Sequence, residues 1–303
     1  MREPAASRLR AAMGACAAAL LAVSPCAASD HGTQRIAAVL SSDLGPYREA
    51  LEGFQETVGQ PIVVILAGSN TPHVVRDARI VVAFGGKAAM LGYPDDAALV
   101  YCMAPGMDLR PSQRNAPTLK IELLPHPGTV LLGLRIVQPS LKRLAVVWSS
   151  DGSGPYVREM QVMARQFGIE FMNERLKDGD DLPNVLRSFA SRKVDALWLP
   201  PDPVLITPEN FAMIRSFATA NRIPFYAPTQ GLVELGAVAA ISASFRSIGR
   251  SAGRITRLAQ GGRIPDGHFY PDSSDLSINV NAAAACGLRL SPEALRAARK
   301  TFQ

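Results

Sequence analysis

The chain has 303 residues, of which 48% are hydrophobic and 19% charged, and its formal net charge is +6. This length is enough for two domains of ordinary size, and the composition is that of a globular chain, which excludes a disordered one. The charge is mild and no Lys/Arg run is long, so a nucleic-acid partner is not expected.

The first 28 residues have the pattern of a secretory signal. Three arginines precede an apolar stretch, Ala11–Val23, which is too short to span a bilayer. Small residues at Cys26–Ala28 suit a signal peptidase, so we expect cleavage near Ala28 and a periplasmic mature protein. Lipid attachment at Cys26 is the alternative, which Pro25 disfavours.

Cysteine and histidine placement gives no metal site. Cleavage would leave Cys102 and Cys286, in segments with different predicted roles. Two separate buried thiols are therefore favoured over a disulfide. The four histidines are scattered and share no ligand spacing.

The first half of the chain alternates predicted strands and helices. Its strands are Ile36–Leu40, Ile62–Leu66, Ile80–Phe84 and Ala98–Cys102. Such short, continuous apolar runs are typical of a parallel sheet that is buried on both faces. A parallel crossover needs about a dozen residues or more, and residues 67–79 barely supply that. The spacing therefore predicts a first lobe with one helix reduced to a turn or lost.

The middle of the chain joins the two halves. Residues 105–117 form a predicted irregular connection, and Thr118–Leu124 is a predicted strand that leads into a crossing segment. An apolar helix is expected over Pro127–Gln138, where Pro139 stops it.

The second half repeats the plan with longer crossovers. Its predicted strands are Leu144–Trp148, Ile169–Met172, Val194–Leu199, Ile223–Ala227 and Val238–Ser242. Helical faces of period 3.6 separate the strands, and Thr207 and Pro208 begin one of these helices as cap and first residue. Two late extended segments, Asp266–Tyr270 and Leu276–Val280, precede a terminal helix that begins at Ser291. The alternation predicts an α/β protein with parallel sheets.

Polar residues follow the strands in both halves, at the sheet edge where parallel sheets bind ligands. The candidates of this kind are Ser42, Asp43, Ser69, Asn70, Gly85, Ser150, Asp151, Tyr156 and Asp202. Backbone N–H groups of the Ser149–Pro155 loop, ahead of a helix, favour an anionic ligand group such as a carboxylate.

Each candidate has a structural alternative. Asp202 would bind a ligand amine, or else cap the turn before Val204. Asp43 would cap a helix that starts near Pro46, and Tyr156 would pack in the core. The two tryptophans, Trp148 and Trp198, fit the core better than a stacking role.

The second half resembles one protein family in the order of its segments. These segments are Arg143–Trp148, Val194–Asp202, Ile223–Ala227, Gly236–Arg250, Leu276–Asn281, Ala285–Leu288 and Ser291–Pro292. They are similar to the periplasmic substrate-binding proteins of ABC transporters with the type 1 fold, in the branch whose known members bind aromatic amino acids. The resemblance covers residues 35–300, and it is thin over 67–140.

The resemblance implies two Rossmann-like lobes joined by three crossing segments, with a ligand in the cleft between them. Residues 29–142 plus 245–263 would form the first lobe, and residues 143–244 plus 264–303 the second. It also implies ligand contacts at Thr229 and Gln230, where family members carry Ser or Thr followed by acidic residues. Family members often carry a Thr-Asp pair where this chain has Pro201-Asp202, so only the Asp of that pair is matched.

The function expected from the resemblance is capture of a small molecule, such as an amino acid or related compound, for an ABC permease. A ligand sensor for a membrane kinase is the alternative within the binding class. An enzyme is disfavoured, because the sequence has no G-x-S-x-G motif, no P-loop and no G-x-G-x-x-G after a strand. We expect a monomer without cofactor or metal.

Overall fold

The computed structural model describes residues 35–109, 114–177, 181–262 and 267–303. All elements below belong to the compact unit Gln34–Gln303. The predicted signal segment lies outside the described residues.

The described residues alternate strands and helices along the chain. The strands are β1 (Ile36–Leu40), β2 (Val63–Leu66), β3 (Ile80–Phe84), β4 (Ala98–Cys102), β5 (Thr118–Ile121), β6 (Arg143–Trp148), β7 (Glu170–Arg175), β8 (Ala196–Trp198), β9 (Phe225–Ala227), β10 (Ala239–Ser242), β11 (Gly267–Phe269), β12 (Asp275–Asn279) and β13 (Ala298–Phe302). The helices are α1 (Gly45–Val58), α2 (Thr71–Val74), α3 (Gly86–Ala89), α4 (Pro127–Val137), α5 (Gly154–Gln166), α6 (Leu182–Ser191), α7 (Pro208–Asn221), α8 (Gln230–Glu234), α9 (Phe245–Gln260), α10 (Val280–Ala285) and α11 (Pro292–Ala297).

The first sheet has the strand order β11-β5-β4-β3-β1-β2, and all its neighbouring strands are parallel. Helices α1 and α9 pack on one face, where Phe54, Ile248 and Ala252 join the strand residues in one core. We call this sheet with its helices the first lobe. The helix α9 thus returns to the first lobe, as the resemblance implies.

The opposite face of the first sheet is covered sparsely. Helices α2 and α3 have four residues each, so the reduction predicted from the strand spacing is confirmed. The edge strand β2 consequently keeps Val63, Val64 and Leu66 exposed.

The second sheet, which defines the second lobe, has the order β13-β12-β10-β9-β8-β6-β7. Its strands are parallel except that β12 runs antiparallel to β10. The final strand β13 was missed, because the sequence predicted only a terminal helix there. The predicted cap of α7 is present, since the Thr207 side chain accepts a hydrogen bond from the Asn210 N–H at 3.2 Å.

Three segments cross between the lobes, at residues 122–126, 243–244 and 270–274. The predicted lobe boundaries put α4 in the first lobe and β11 in the second. However, Leu131 and Leu134 of α4 pack in the core of the second sheet, and β11 pairs with β5. The chain therefore crosses earlier than position 142 and later than position 264.

Candidate functional site: the cleft between the lobes

The carboxyl ends of strands from both sheets meet at the cleft between the lobes. The largest cavity there has a volume of about 340 Å³, within the range typical of small-molecule sites. Its lining residues are Glu49, Leu123, Pro228, Thr229, Gln230, Gly231, Ser242, Ala243, Ser244, Phe245 and Asp275. Glu49 comes from the first lobe and Asp275 from the second, so a molecule in this cavity would contact both lobes.

Thr229 and Gln230 are the two predicted ligand residues that line this cavity. Glu49, Phe245 and Asp275 were missed by the sequence reasoning. Two of them carry carboxylates, and the Glu49 carboxylate also accepts the Arg246 N–H at 3.4 Å. Phe245 is the first residue of the long helix α9. A search for polar residues at strand ends does not identify an aromatic residue at such a position.

The lobes touch at a second place in the cleft, where Gly106 meets Gly152. A Cβ atom on Gly152 would overlap the backbone carbonyl of Gly106, so two backbones lie in direct contact there. Gly106 also lies against Ser150 and Pro203 of the second lobe. This is the closing contact between the loop after β4 and the turn after β6.

Asp202 lies behind that turn and is fully buried. Its Oδ2 accepts hydrogen bonds from the N–H groups of Ser149 (2.8 Å) and Ser150 (2.7 Å), and from the Ser150 and Ser153 hydroxyls (2.8 and 3.3 Å). Its Oδ1 accepts the Val204 N–H at 3.1 Å, the capping bond of the alternative interpretation. Burial would raise the pKa of Asp202, but these donors hold it below its ordinary value.

The other candidates of the second lobe also have internal partners. Tyr156 is buried, donates to the Pro125 carbonyl at 2.7 Å and stacks on Trp198 with ring centroids 5.8 Å apart. Asp151 is exposed and pairs with Arg175. Ser150 points its hydroxyl at Asp202, as described above.

The first-lobe candidates are spread along the sheet edge. Asp43 pairs with Arg48, and this hydrogen bond lowers the pKa of the Asp43 carboxyl. Ser42 is half-buried, whereas Ser69 and Asn70 are exposed near the short α2. Gly85 has a φ of 99° and packs against Ser41 and Tyr47, so it serves the backbone turn into α3.

A cluster of charges on β5 and β11 was missed. Lys120 Nζ lies 2.9 Å from Glu122 Oε1, and His268 Nδ1 lies 3.0 Å from the same oxygen. The other ring nitrogen, His268 Nε2, is 3.1 Å from Asp108 Oδ1. The available signal was the alternation of Thr118, Lys120 and Glu122 on one face of a strand that is otherwise apolar.

The electrostatics of this cluster shift the pKa values of two of its members, Glu122 and His268. Burial would raise the pKa of Glu122, but hydrogen bonds and charges from His268 and Lys120 hold it below its ordinary value. The hydrogen bond to Glu122 raises the pKa of His268 above its ordinary value, against the opposing effect of burial. Their contact therefore favours the ionised form of Glu122 and the protonated form of His268.

Three further features of the described residues concern cysteines, potential metal ligands and apolar helices. Cys102 and Cys286 are separate buried thiols, as expected. Within the described ranges, no group of three or more His, Cys, Asp or Glu side chains could hold a metal ion. Among the same residues, no helix is long and apolar enough to cross a bilayer.

Two parallel α/β lobes with a ligand-sized cleft between their strand ends define the class of type 1 periplasmic binding proteins. A model of the family described as ABC transporter substrate binding protein matches residues 130–302. The chain belongs to this family, and the family resemblance seen in the sequence is confirmed.

Individual relatives agree with this assignment. The tyrosine-binding protein of Clostridioides difficile (strain R20291) is 21% identical over 160 residues, which are 52% of this chain and 46% of that protein. The matched region thus spans about half the length of this curated relative.

Two solved structures share the fold. One is an ABC domain in complex with L-Trp from Streptococcus pneumonia, with a TM-score of 0.59 and 17% identity over 88% of this chain and 100% of that one. The other is the ligand-free, open structure of a substrate-binding protein with adhesive properties from Clostridium difficile. Its TM-score is 0.65, with 15% identity over 89% of this chain and 99% of that one.

Proposed function

We propose that this protein captures a small molecule between its two lobes and delivers it to an ABC permease in the membrane. The observation that carries this proposal is the cavity of about 340 Å³, whose lining comes from both lobes and from the crossing residue Leu123. A ligand that contacts both lobes stabilises the closed form by its differential affinity for it. The crossing segments are short, and a few residues in them can absorb the hinge motion.

The ligand class that fits best is an amino acid or a related compound with an apolar part. Leu123, Pro228 and Phe245 supply apolar walls, while Thr229 and Gln230 supply hydrogen-bonding groups. The names of the relatives point the same way, since one binds tyrosine and another was solved with L-Trp. The chemistry required is binding alone, so we propose that the protein is not an enzyme.

Proteins of this family are typically exported or periplasmic. For this chain we propose export with cleavage near Ala28, a monomeric mature form, and a permease as the membrane partner. The mass of the protein recovered from a periplasmic extract tests the cleavage. A mature N-terminus near Ser29 is expected, whereas a retained Met1 or a lipid on Cys26 would contradict it.

The function itself is tested by ligand capture. Small molecules that co-purify with the protein are identified by mass spectrometry and then added back in calorimetry, beside a panel of the L-amino acids. A bound ligand should raise the free energy of unfolding by about 2.7 kcal/mol at a hundredfold excess over its dissociation constant. It should also reduce the radius of gyration in small-angle scattering. A protein that captures nothing and binds nothing in the panel would contradict the proposal.

A pair of substitutions tests the cavity. Gln230→Ala removes a lining side chain and should weaken binding, because a polar partner of the ligand is lost. Gln166→Ala is the matched control, since this exposed residue of α5 lies outside the cavity. Equal effects of the two substitutions on affinity would place the ligand elsewhere.

A further inference from the structure

Lys120 and Glu122 form a buried ion pair in the cleft. Their side chains are only 7% and 12% exposed, and the pair lines a small cavity between the lobes. Lys120 lies at the carboxyl end of β5 and Glu122 directly follows the strand, at the edge where parallel sheets bind ligands. The pair therefore lies where a ligand would reach it.

The surroundings hold the two side chains in position. In the register of the sheet, Lys120 lies between Tyr101 on β4 and His268 on β11. His268 contacts the same Glu122 oxygen that Lys120 contacts, and Asp108 contacts the far side of the imidazole ring. Glu122 thus keeps one hydrogen-bond partner, His268, if Lys120 turns away from it.

Stability does not explain a charged pair at this place. The desolvation of two buried charges offsets most of their attraction, and apolar residues of similar volume often replace such pairs without loss. The alternate β5 residues Leu119 and Ile121 are buried in the apolar core on the other face of the sheet, so the charged pair is confined to the face that meets the cleft. Perturbed, charged side chains in a cleft are typical of binding sites.

Across the small cavity lie Gly152 and Ser153, in the turn that leads into the 13-residue helix α5. The donors of this turn already bind the carboxylate of Asp202, which accepts from the N–H groups of Ser149 and Ser150 and from the Ser153 hydroxyl. Lys120 therefore supplies the positive charge of the small cavity, and Glu122 supplies negative charge beside it.

The small cavity is closed in this structure. Its volume is about 20 Å³, room for roughly one water molecule, and the contact of Gly106 with Gly152 closes it. Parting of the lobes at that contact would open the way to the ion pair. Separation of Lys120 from Glu122 would then make room for a group that carries both charges.

We propose that Lys120 and Glu122 form the head-group subsite of the cleft and select a ligand with adjacent anionic and cationic groups, as in an α-amino acid. The ligand carboxylate takes Lys120 as its partner and the ligand ammonium takes Glu122. Each buried charge exchanges one partner for another, so none is left unpaired. This inference rests on the proposed binding function and assigns the specificity-determining residues of that function.

Ligand analogues test the subsite on the wild-type protein. L-Tyrosine and L-tryptophan are compared in calorimetry with their decarboxylated amines and with their deaminated acids. The amino acid that binds should do so about 30-fold or more tightly than either analogue, because the amine lacks the carboxylate that pairs with Lys120 and the acid lacks the ammonium that pairs with Glu122.

Matched variants assign the two roles. Lys120→Met should remove the preference for the amino acid over the amine, and Glu122→Gln should remove the preference over the acid. The double substitution guards against misfolding, since it removes both charges of the pair together. The control pair is Arg79→Met with Asp96→Asn, an exposed 2.7 Å ion pair of the same lobe, which should keep both preferences.

The outcomes separate the subsite from the function. Variants that keep the wild-type preference for the amino acid over its amine and its acid would overturn the subsite. Equally tight binding of the amino acid and its analogues by the wild type would overturn it as well. A captured ligand that lacks either charge would also overturn it, while the proposed binding function would stand. A protein that binds no small molecule at all would overturn both.

Discussion

The carboxylate of Asp202 accepts both the N–H and the hydroxyl hydrogen of Ser150, at 2.7 and 2.8 Å. Asp202 thereby fastens the turn after β6 to the loop after β8, and both loops face the cleft. The residue stabilises the wall of the site from behind, because it is fully buried. The geometry corresponds to the capping interpretation of this residue.

Asp202→Ala is therefore expected to destabilise the fold. The substitution leaves several buried donors without an acceptor, which should lower the free energy of unfolding by about 2–3 kcal/mol. Urea denaturation measures the loss, and Asp202→Asn should lose less because the amide keeps one acceptor oxygen. Unchanged stability together with abolished ligand binding would restore Asp202 as a direct ligand contact.

The pairing of His268 with Glu122 and Asp108 makes stability depend on pH. The folded pKa of His268 is raised above the ordinary value of 6.5, so the imidazolium form stabilises the native state. This contribution is fully present below the unfolded pKa and is lost as pH rises through the folded pKa. The difference in unfolding free energy between wild type and His268→Gln should therefore shrink on going from about pH 6 to more alkaline solutions.

Urea denaturation at several pH values measures these unfolding free energies and checks this expectation. Asp108→Asn removes one of the two carboxylates at the ring and should move the decline toward lower pH. Lys120, which also lies near the ring, opposes the shift by its charge and is unchanged in both variants. If the difference in unfolding free energy between wild type and His268→Gln grew with rising pH, the raised folded pKa of His268 would be contradicted.

The packing of α1 against α9 depends on glycine. A Cβ atom on Gly249 would overlap the carbonyl oxygen of Ala50, and rigid helix backbone cannot move aside easily. Gly249→Ala should therefore lower the free energy of unfolding by about 2–3 kcal/mol through overpacking. Gly45→Ala is the control on the same helix pair, because open space surrounds that position. Equal melting temperatures for both variants would contradict this account.

Much of the fold could be predicted from the sequence. The strands β3 and β4 have the predicted bounds, because short apolar runs between turn residues have few alternatives. The four-residue α2 and α3 follow from crossovers that are too short for longer helices. By contrast, the antiparallel β12 and the final β13 depend on pairing with distant parts of the chain, which local patterns do not encode.

The cleft was harder to predict than the sheets. The family resemblance identified Thr229 and Gln230, which line the larger cavity. The strand-end rule selected Asp202, but no sequence pattern tells a ligand carboxylate from one that caps a turn. Lys120 and Glu122 were missed because they lie two residues apart at the end of β5, and their partner His268 comes from a distant part of the chain.

The contact between Gly106 and Gly152 provides a test of lobe closure. A side chain at position 152 would strike the Gly106 carbonyl, so Gly152→Ala should hold the lobes apart at this point. Both lobe cores are unaffected, and the melting temperature without ligand should stay close to that of the wild type. Ligand affinity should fall by about tenfold or more, because the closed form that the ligand stabilises becomes less favourable. Small-angle scattering at saturating ligand should give a larger radius of gyration than for the wild type.

Gly92→Ala, in open space on the first lobe, is the control that should close normally. A Gly152→Ala protein that binds and compacts like the wild type would show that closure does not pass through this contact.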